Sequence, residues 1–575
     1  MNFMQEKPWI ILIIACVLAG CQFNKHDFFS NHTICNPINI SYQFSLNETS
    51  RRDGAHPCII LFNNEYFLFM TGAGGYFYSI DLRHWELIKT DDLPLENNAP
   101  TVVSFNNEIF FTTSYKSDTI YRTDNPKTGK WEAIYNNSSN QIIEPMLFHD
   151  NKKLYLFYGS SNVNPLYGIE IDPKTMIHIG QATPLINSSE HKNGWEVPGD
   201  QHTWITSSPW LEGIWMNKYN NKYYLQYSSP GIQFKSLNDG IYVSENPLGP
   251  FVLANHNPFA YKPEGFITGS GNGCTFQDIY GNYWFITTSV ITSKHFFERR
   301  ISLFPVFFDK DEIMYSYTGF GDYPMIIPNK KTSTPDELFP EWMLLSYNKK
   351  VTVSSKLRGY PARNAVNEDI RTWWSAETNN KGEYLSVDLG DLHSIYSIQL
   401  NFADHDSYIW GRNDSIYYQY LIEESRDGKK WNKLVDKSLN IEDVPHDYIQ
   451  LDKKIETRHI RVTNLYCPSE KFSISGFRIF GKGHMKLPQS TNFTHSIRDP
   501  KDRRSIKLRW DEIEGATGFN IRFGTHPNKL YNNYIIYNDT EVTINCLHSE
   551  MKYYFTIDSF NEAGITKGTT IKESL

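Results

Sequence analysis

The sequence predicts an all-β chain, a five-bladed β-propeller followed by two β-sandwich domains, and three observations carry that prediction. One hairpin pattern recurs five times between residues 51 and 333. The segments between the copies hold further strand-like runs, such as "YFYSIDLRHWELI", and no long helical periodicity. The aromatic fraction is 15%, with 14 Trp, 36 Tyr and 36 Phe, and aromatic side chains favour pleated, half-buried surfaces. At 575 residues the chain is too long for one core. Its net charge of −8, with no basic block, excludes nucleic acid as the main partner, because phosphate binding needs clustered Lys and Arg.

The first element is a targeting segment. Lys7 precedes "PWIILIIACVLAGC", an apolar run too short to span a bilayer as a mature helix. It ends in Leu18-Ala19-Gly20-Cys21, which resembles the lipobox of bacterial lipoproteins. The resemblance implies cleavage before Cys21 and a lipid anchor there, in the bacterial cell envelope (outer membrane surface or periplasm), with no other membrane contact. Residues 22–50 then read as a linker. Cys35, Cys58, Cys274, Cys467 and Cys546 are scattered without CxxC spacing, so neither a zinc site nor a disulfide framework is indicated.

The hairpin copies begin at His56, Ala99, Glu144, Glu212 and Asn272. Each has a head residue, a short apolar strand, a polar turn and an aromatic strand, as in "EGIWMNKYNNKYYLQYSS". The turns (Asn63-Asn64, Asn106-Asn107, Asp150-Asn151, Asn220-Asn221 and Tyr280-Gly281-Asn282) use residues that tolerate positive φ, as tight hairpins require. Head-to-head spacings of 43, 45, 68 and 60 residues suit four-stranded blades. The innermost strand of each blade starts near the axis, so the heads converge. Glu144 and Glu212 are expected at equivalent positions of blades three and four. Two carboxyls facing one funnel suit glycoside hydrolysis, in which one acid protonates the leaving oxygen.

Glu212-Gly213 before an aromatic hairpin, "YGIEIDPKTMIHIGQATPLI", "SENPLGPF" and "GSGNGCTFQDIYGNYWF" resemble glycoside hydrolase family 43. The resemblance implies that Glu212 is the general acid and that Glu144, where the family usually has Asp, orients it and raises its pKa. It also implies inversion by water activated at the head of the first blade. The family's Asp is missing there: the chain reads Arg52-Asp53-Gly54-Ala55-His56-Pro57. Three accounts stay open. His56 is the base, Asp53 curls into the funnel and replaces it, or the usual route is lost. Asn272 stands where family members often have a His near an axial metal or water cluster. No metal ligand is assigned and no cofactor is required; the resemblance allows a structural calcium ion in the propeller or the first sandwich.

Further substrate contacts are expected from His202, Trp204 and Trp210 on the loop "GDQHTWITSSPW", and from Arg299 or Arg300 in "FERRISLFPVFF". Only one of the two arginines can face the site, because successive strand residues point to opposite faces. Asp278 reads as a turn residue, and Glu264 lies in a loop.

Residues 346–482 hold "ARNAVNEDIRTWWSA", "YLSVDLGDLHSIYSIQL" and "RHIRVTNL", which resemble the discoidin (coagulation factor 5/8 type C) sandwich of carbohydrate-binding family 32. That resemblance points to Asp369 and Thr372 for a calcium loop. It also points to Tyr360, His405, Tyr408, Trp410 and Arg412 for a glycan-binding surface, with Trp373 and Trp374 at least half in the core. Residues 485–575, with "IKLRWDEIEGATGFNIRFG" and "KYYFTIDSFNEAG", read as a fibronectin type III sandwich acting as a spacer. The chain is expected to be a monomeric surface glycoside hydrolase, exo-acting and inverting on arabinofuranose, xylose or galactose of a complex polysaccharide or glycan. The alternative is a non-catalytic glycan-binding lipoprotein with a degenerate propeller.

Overall fold

A computed structural model describes residues 32–574 apart from 97–98, 115–117, 138–141 and 414, so Cys21 and the lipobox lie outside the described residues. Blade 1 is the antiparallel sheet Ala55–Phe62, Glu65–Thr71, Tyr76–Ser79 and Glu86–Ile88. Blade 2 runs from Thr101–Phe105 to Glu132–Asn137, and blade 3 from Met146–Asp150 to His178–Ile186. Blade 4 begins with Glu212–Tyr219 and ends on the short strand Val252–Leu253; blade 5 runs from Thr268–Gln277 to Met314–Ser316. The first strands of blades 1 and 2, 2 and 3, 3 and 4, 4 and 5, and 5 and 1 touch, which closes the ring. The turn asparagines lie at positive φ as their type requires: Asn63, Asn64, Asn106, Asn107, Asn151, Asn220 and Asn221. Asp278 caps its turn by accepting from Tyr280 N and Trp284 Nε1 at 2.9 and 3.0 Å.

Residues 32–50, expected as a linker, are instead mostly buried. His32–Ile34 pairs with Met325–Ile327, and the Asn36 side chain donates to the carbonyls of Leu303 and Gly321 at 2.8 and 2.7 Å. This segment closes the propeller beside blade 5 and leads directly into Asp53. The first sandwich is an eight-stranded assembly built on the long strands Tyr384–Phe402 and His446–Tyr466. Trp374 is fully buried in its core, whereas Trp373 packs against Tyr360. The last unit has one sheet of Phe493–Arg498, Ile506–Trp510 and Glu541–Ile544, and a second centred on Gly518–Gly524 and Tyr554–Asn561. Trp510 is buried between them. Cys35, Cys58, Cys274, Cys467 and Cys546 are free and buried.

Candidate active site

Each blade reaches the axis through one residue in the left-handed region: His56 (φ 48°), Ala99 (51°), Glu144 (51°), Gly213 (62°) and Asn272 (56°). Together they line a narrow axial cavity of 30 Å³. The pairing register explains the repeat. In blade 1 the partners step from Ala55↔Thr71 to Cys58↔Phe69, so a bulge ejects one residue toward the axis. Blade 4 steps from Glu212↔Ser228 to Trp215↔Gln226, and blade 5 from Gly271↔Thr288 to Cys274↔Ile286.

This register corrects one expectation. Glu212 is level with Ala55 and Gly271, one residue before the position that Glu144 occupies in its own blade; the blade-4 equivalent is Gly213. A glycine is needed there twice over. The backbone is left-handed, and a Cβ would meet Asn272 Oδ1 at 2.6 Å. The Gly213 N–H donates to Glu144 Oε2 at 2.6 Å, so the bulge brings the two acids together across neighbouring blades.

Glu144, Glu212 and His56 are each 7% exposed. Burial is the largest influence on all three. It pushes the Glu144 carboxyl up to about 7, against the Gly213 hydrogen bond and the charge of Arg299. It pushes Glu212 up to about 7 as well, and there the neighbouring Glu144 charge adds to the rise, while His56, Ser160 and Arg299 oppose it. Ser160 Oγ donates to Glu212 Oε2 at 2.9 Å. Burial and the charge of Arg299 push the His56 imidazole down to about 4, so it is neutral near pH 7. Its Nδ1 faces Thr71 Oγ1 at 3.0 Å, and its Nε2 lies 3.2 Å from Glu144 Oε1 without hydrogen-bond alignment.

Asp53 is on the same side of the propeller, although it stands outside the repeat. Arg299 forks onto it, with Nε to Oδ1 at 2.9 Å and Nη2 to Oδ2 at 2.6 Å, and the Arg299 N–H also donates to Oδ1 at 3.1 Å. The Asp53 side chain keeps 19% exposure, more than His56, so a solvent molecule can reach it. A deeply buried acid with a raised pKa and a partly open carboxyl group held by Arg299 supply the two different environments that acid–base cleavage needs. The larger cavities, 550 and 580 Å³, lie along the last sandwich, and Glu144 and Glu212 are not among the residues that line them.

Residues 46–314 match the family model Glycosyl hydrolases family 43, and residues 350–474 match the F5/8 type C domain. The propeller is a family 43 domain. No curated protein sequence matches this chain. Among solved structures it is similar to a Bacteroides ovatus protein, "Xyloglucan PUL GH43B", at 12% identity over 94% of this chain and 98% of that one, with a TM-score of 0.42. It is also similar to a mutant family 43 protein from Bacillus licheniformis (11% identity, 91% and 98% covered, TM-score 0.40). A Bacteroides thetaiotaomicron structure described as an endo-1,4-beta-xylanase matches at 19% identity over 46% of this chain and 94% of that one, with a TM-score of 0.38. At that distance the likenesses say nothing of substrate.

The family 43 domain brings some of the expected contacts to the site and sends others away. Asn272 is on the axis beside Gly213, its N–H donating to Asp239 Oδ1 at 2.9 Å and its Nδ2 left without a partner. Arg299 is in the site and Arg300 is not. Alternation turns Arg300 to the far side, where it is buried against His446, which corrects its reading as a substrate contact. His202 is also corrected: it is 4% exposed, with Nδ1 on the Val197 carbonyl at 2.8 Å and its ring against Tyr261, so it is a packed core residue. Trp204 and Trp210 are 55% and 43% exposed, Trp204 standing edge-on to Phe234. Glu264 pairs with Lys235 at 3.2 Å.

In the discoidin domain, Asp369 accepts from Arg371 N at 3.0 Å and Thr372 Oγ1 accepts from Asn367 Nδ2 at 2.8 Å, so both have partners in their own turn. Among the described residues no group of three or more His, Cys, Asp or Glu side chains is placed to hold a metal ion. Ser160, Thr71 and Asp239 were not legible as site residues. Nothing in their local sequence marks them: Thr71 ends the second strand of blade 1, Ser160 lies in the loop after the second strand of blade 3, and Asp239 is on the third strand of blade 4.

Proposed function

We propose that the protein is an inverting glycoside hydrolase that removes a terminal arabinofuranosyl, xylosyl or galactosyl residue from a complex polysaccharide or glycan. Glu212 acts as the general acid. Burial and the nearby Glu144 carboxyl keep it protonated near neutrality, and Ser160 fixes its orientation. Glu144, held by the Gly213 N–H, tunes that proton. Asp53, rather than His56, activates the water. Arg299 keeps the Asp53 carboxylate in one orientation through two bonds, while His56 is held too weakly basic and too deep to compete. The observation that carries the reading is the buried acid pair of a family 43 domain, Glu144 on the axis and Glu212 next to the Gly213 that binds it. The exposed ring of Trp204, on the loop that leads into Glu212, suits stacking on a sugar face.

The sequence Leu18-Ala19-Gly20-Cys21 supports anchoring through a lipidated Cys21 in the cell envelope, with the glycan as the one partner. The two-sheet last unit supports a fibronectin type III spacer. The test is a screen of aryl glycosides and polysaccharides, with the product anomer followed by proton NMR. The inverted anomer is expected first. Retention, or binding to a glycan with no turnover in the wild type, would remove the assignment of Asp53 as base.

A further inference from the structure

The segments carrying Asp53 and Arg299 are gripped from the far side by the discoidin domain. Arg52, next to Asp53, is 1% exposed and its guanidinium is fully engaged. Its Nε donates to Asp404 Oδ2 at 2.7 Å, and Nη1 donates to Asp443 Oδ2 at 2.6 Å and to the Tyr42 carbonyl at 3.0 Å. Its Nη2 donates to Asp443 Oδ1 at 2.8 Å and to the Tyr418 hydroxyl at 3.1 Å. Arg300, next to Arg299, donates from Nε to His446 Nε2 at 2.8 Å and from Nη1 to the carbonyls of Arg52 and Arg299, both at 2.9 Å. Each segment thus alternates. Asp53 and Arg299 pair with each other on the site side, while Arg52 and Arg300 face the sandwich and are tied to one another.

The loop expected to bind glycan is drawn into the same seam. Arg412 donates to the carbonyls of Ala73 and Ser41, and Lys294 of the propeller donates to the carbonyls of Ala403 and Asp404 at 2.7 and 2.8 Å. A tethered binding module needs none of this. Buried charge pairs recover little net stability after desolvation, and their best-attested use is to fix one arrangement over others. We propose that Asp404, Asp443 and His446 of the discoidin domain are positioning residues for the Asp53–Arg299 pair, so that this domain completes the catalytic site. The proposal rests on the roles given above to Asp53 and Arg299.

The test uses the full chain with Asp443→Asn, which keeps shape and removes charge. The matched control is Glu368→Gln. Glu368 pairs with Arg478 at 2.9 Å, and Arg478 donates to the Asp322 carbonyl, a buried charged tie between the two domains that touches neither segment. Both variants should lower Tm alike. Only Asp443→Asn should lower kcat, by about tenfold to a hundredfold with KM nearly unchanged, because misplacing a catalytic group costs rate before it costs binding. Asp443→Glu should recover most of the loss.

A second readout does not need turnover. The His56 ring is faced by Glu144, Glu212, Asp53 and Arg299, and the Arg299 charge helps hold its titration low. The NMR-monitored titration of His56 should therefore rise in Asp443→Asn and stay put in Glu368→Gln. If Asp443→Asn loses Tm but leaves kcat and the His56 titration at wild-type values, the discoidin domain is a structural support only and the proposal is overturned. If the wild type hydrolyses no glycoside, the functional reading fails while the His56 titration still decides the positioning. Should Asp443→Asn not fold, His446→Gln, which disturbs the Arg300 tie together with the Nδ1 contact to Asn401 Oδ1, carries the same comparison.

Discussion

Replacing Glu144 with Gln isolates the charge that tunes the acid. Burial and neighbours lift the Glu212 carboxyl from 4.5 to about 7, a rise worth about 3.4 kcal/mol at 1.36 kcal/mol per unit. Burial is the largest cause and the Glu144 charge the next, while His56, Ser160 and Arg299 oppose them. Gln keeps the shape of Glu144, and its amide oxygen can still accept from the Gly213 N–H. A carboxyl relieved of a like-charged neighbour ionises more readily, so Glu212 loses its proton at lower pH. The alkaline limb of kcat/KM reports the acid of the free enzyme. In the wild type it should fall near pH 7, and in Glu144→Gln it should move down, by roughly a unit or more as is typical for losing a close like charge. The assay is a pH series of initial rates on one aryl glycoside, with Tm checked at each pH. A limb that stays in place or moves upward would refute the claim that the Glu144 charge tunes Glu212.

Other outcomes follow from the same geometry. Asp53→Asn should lower kcat by about a hundredfold or more without loss of glycan affinity, whereas His56→Ala should stay within about tenfold of wild type. The reverse order, in variants that keep their Tm, would make His56 the base. Trp204→Ala should raise KM several-fold and leave both kcat and Tm in place, because the ring is 55% exposed; an equal loss in kcat would place it nearer the reacting bond.

The five blades were legible because a hairpin needs its turn asparagines and its alternating apolar strands wherever it sits. What the repeat hid was the bulge. Ala55, Glu212 and Gly271 share one register, and the residue after each is thrown to the axis, so counting from the first apolar residue misplaces Glu212 by one. Strand alternation predicted that only one of Arg299 and Arg300 could face the site. It did not say which, because that depends on the sheet face that meets the discoidin domain. The Asp53–Arg299 pair joins residues 246 apart in the chain and leaves no local pattern. The same is true of Arg52, whose partners all lie in the loops and strands of another domain or in residues 32–50. His202 looked like a binding residue because it shares the loop into Glu212 with Trp204 and Trp210, but the backbone folds its ring onto the Val197 carbonyl.

The account turns on Glu212 as proton donor, and leaving-group dependence measures that directly. Protonic assistance matters when the departing oxygen is basic and hardly at all when it leaves as a stable phenolate. Wild type and Glu212→Gln should be compared on an alkyl or unactivated aryl glycoside and on a dinitrophenyl glycoside of the same sugar. The predicted result is a loss of about a hundredfold or more on the first substrate and a far smaller loss on the second. Equal losses on both, or undiminished hydrolysis of the unactivated glycoside, would contradict the assignment of Glu212 as the acid.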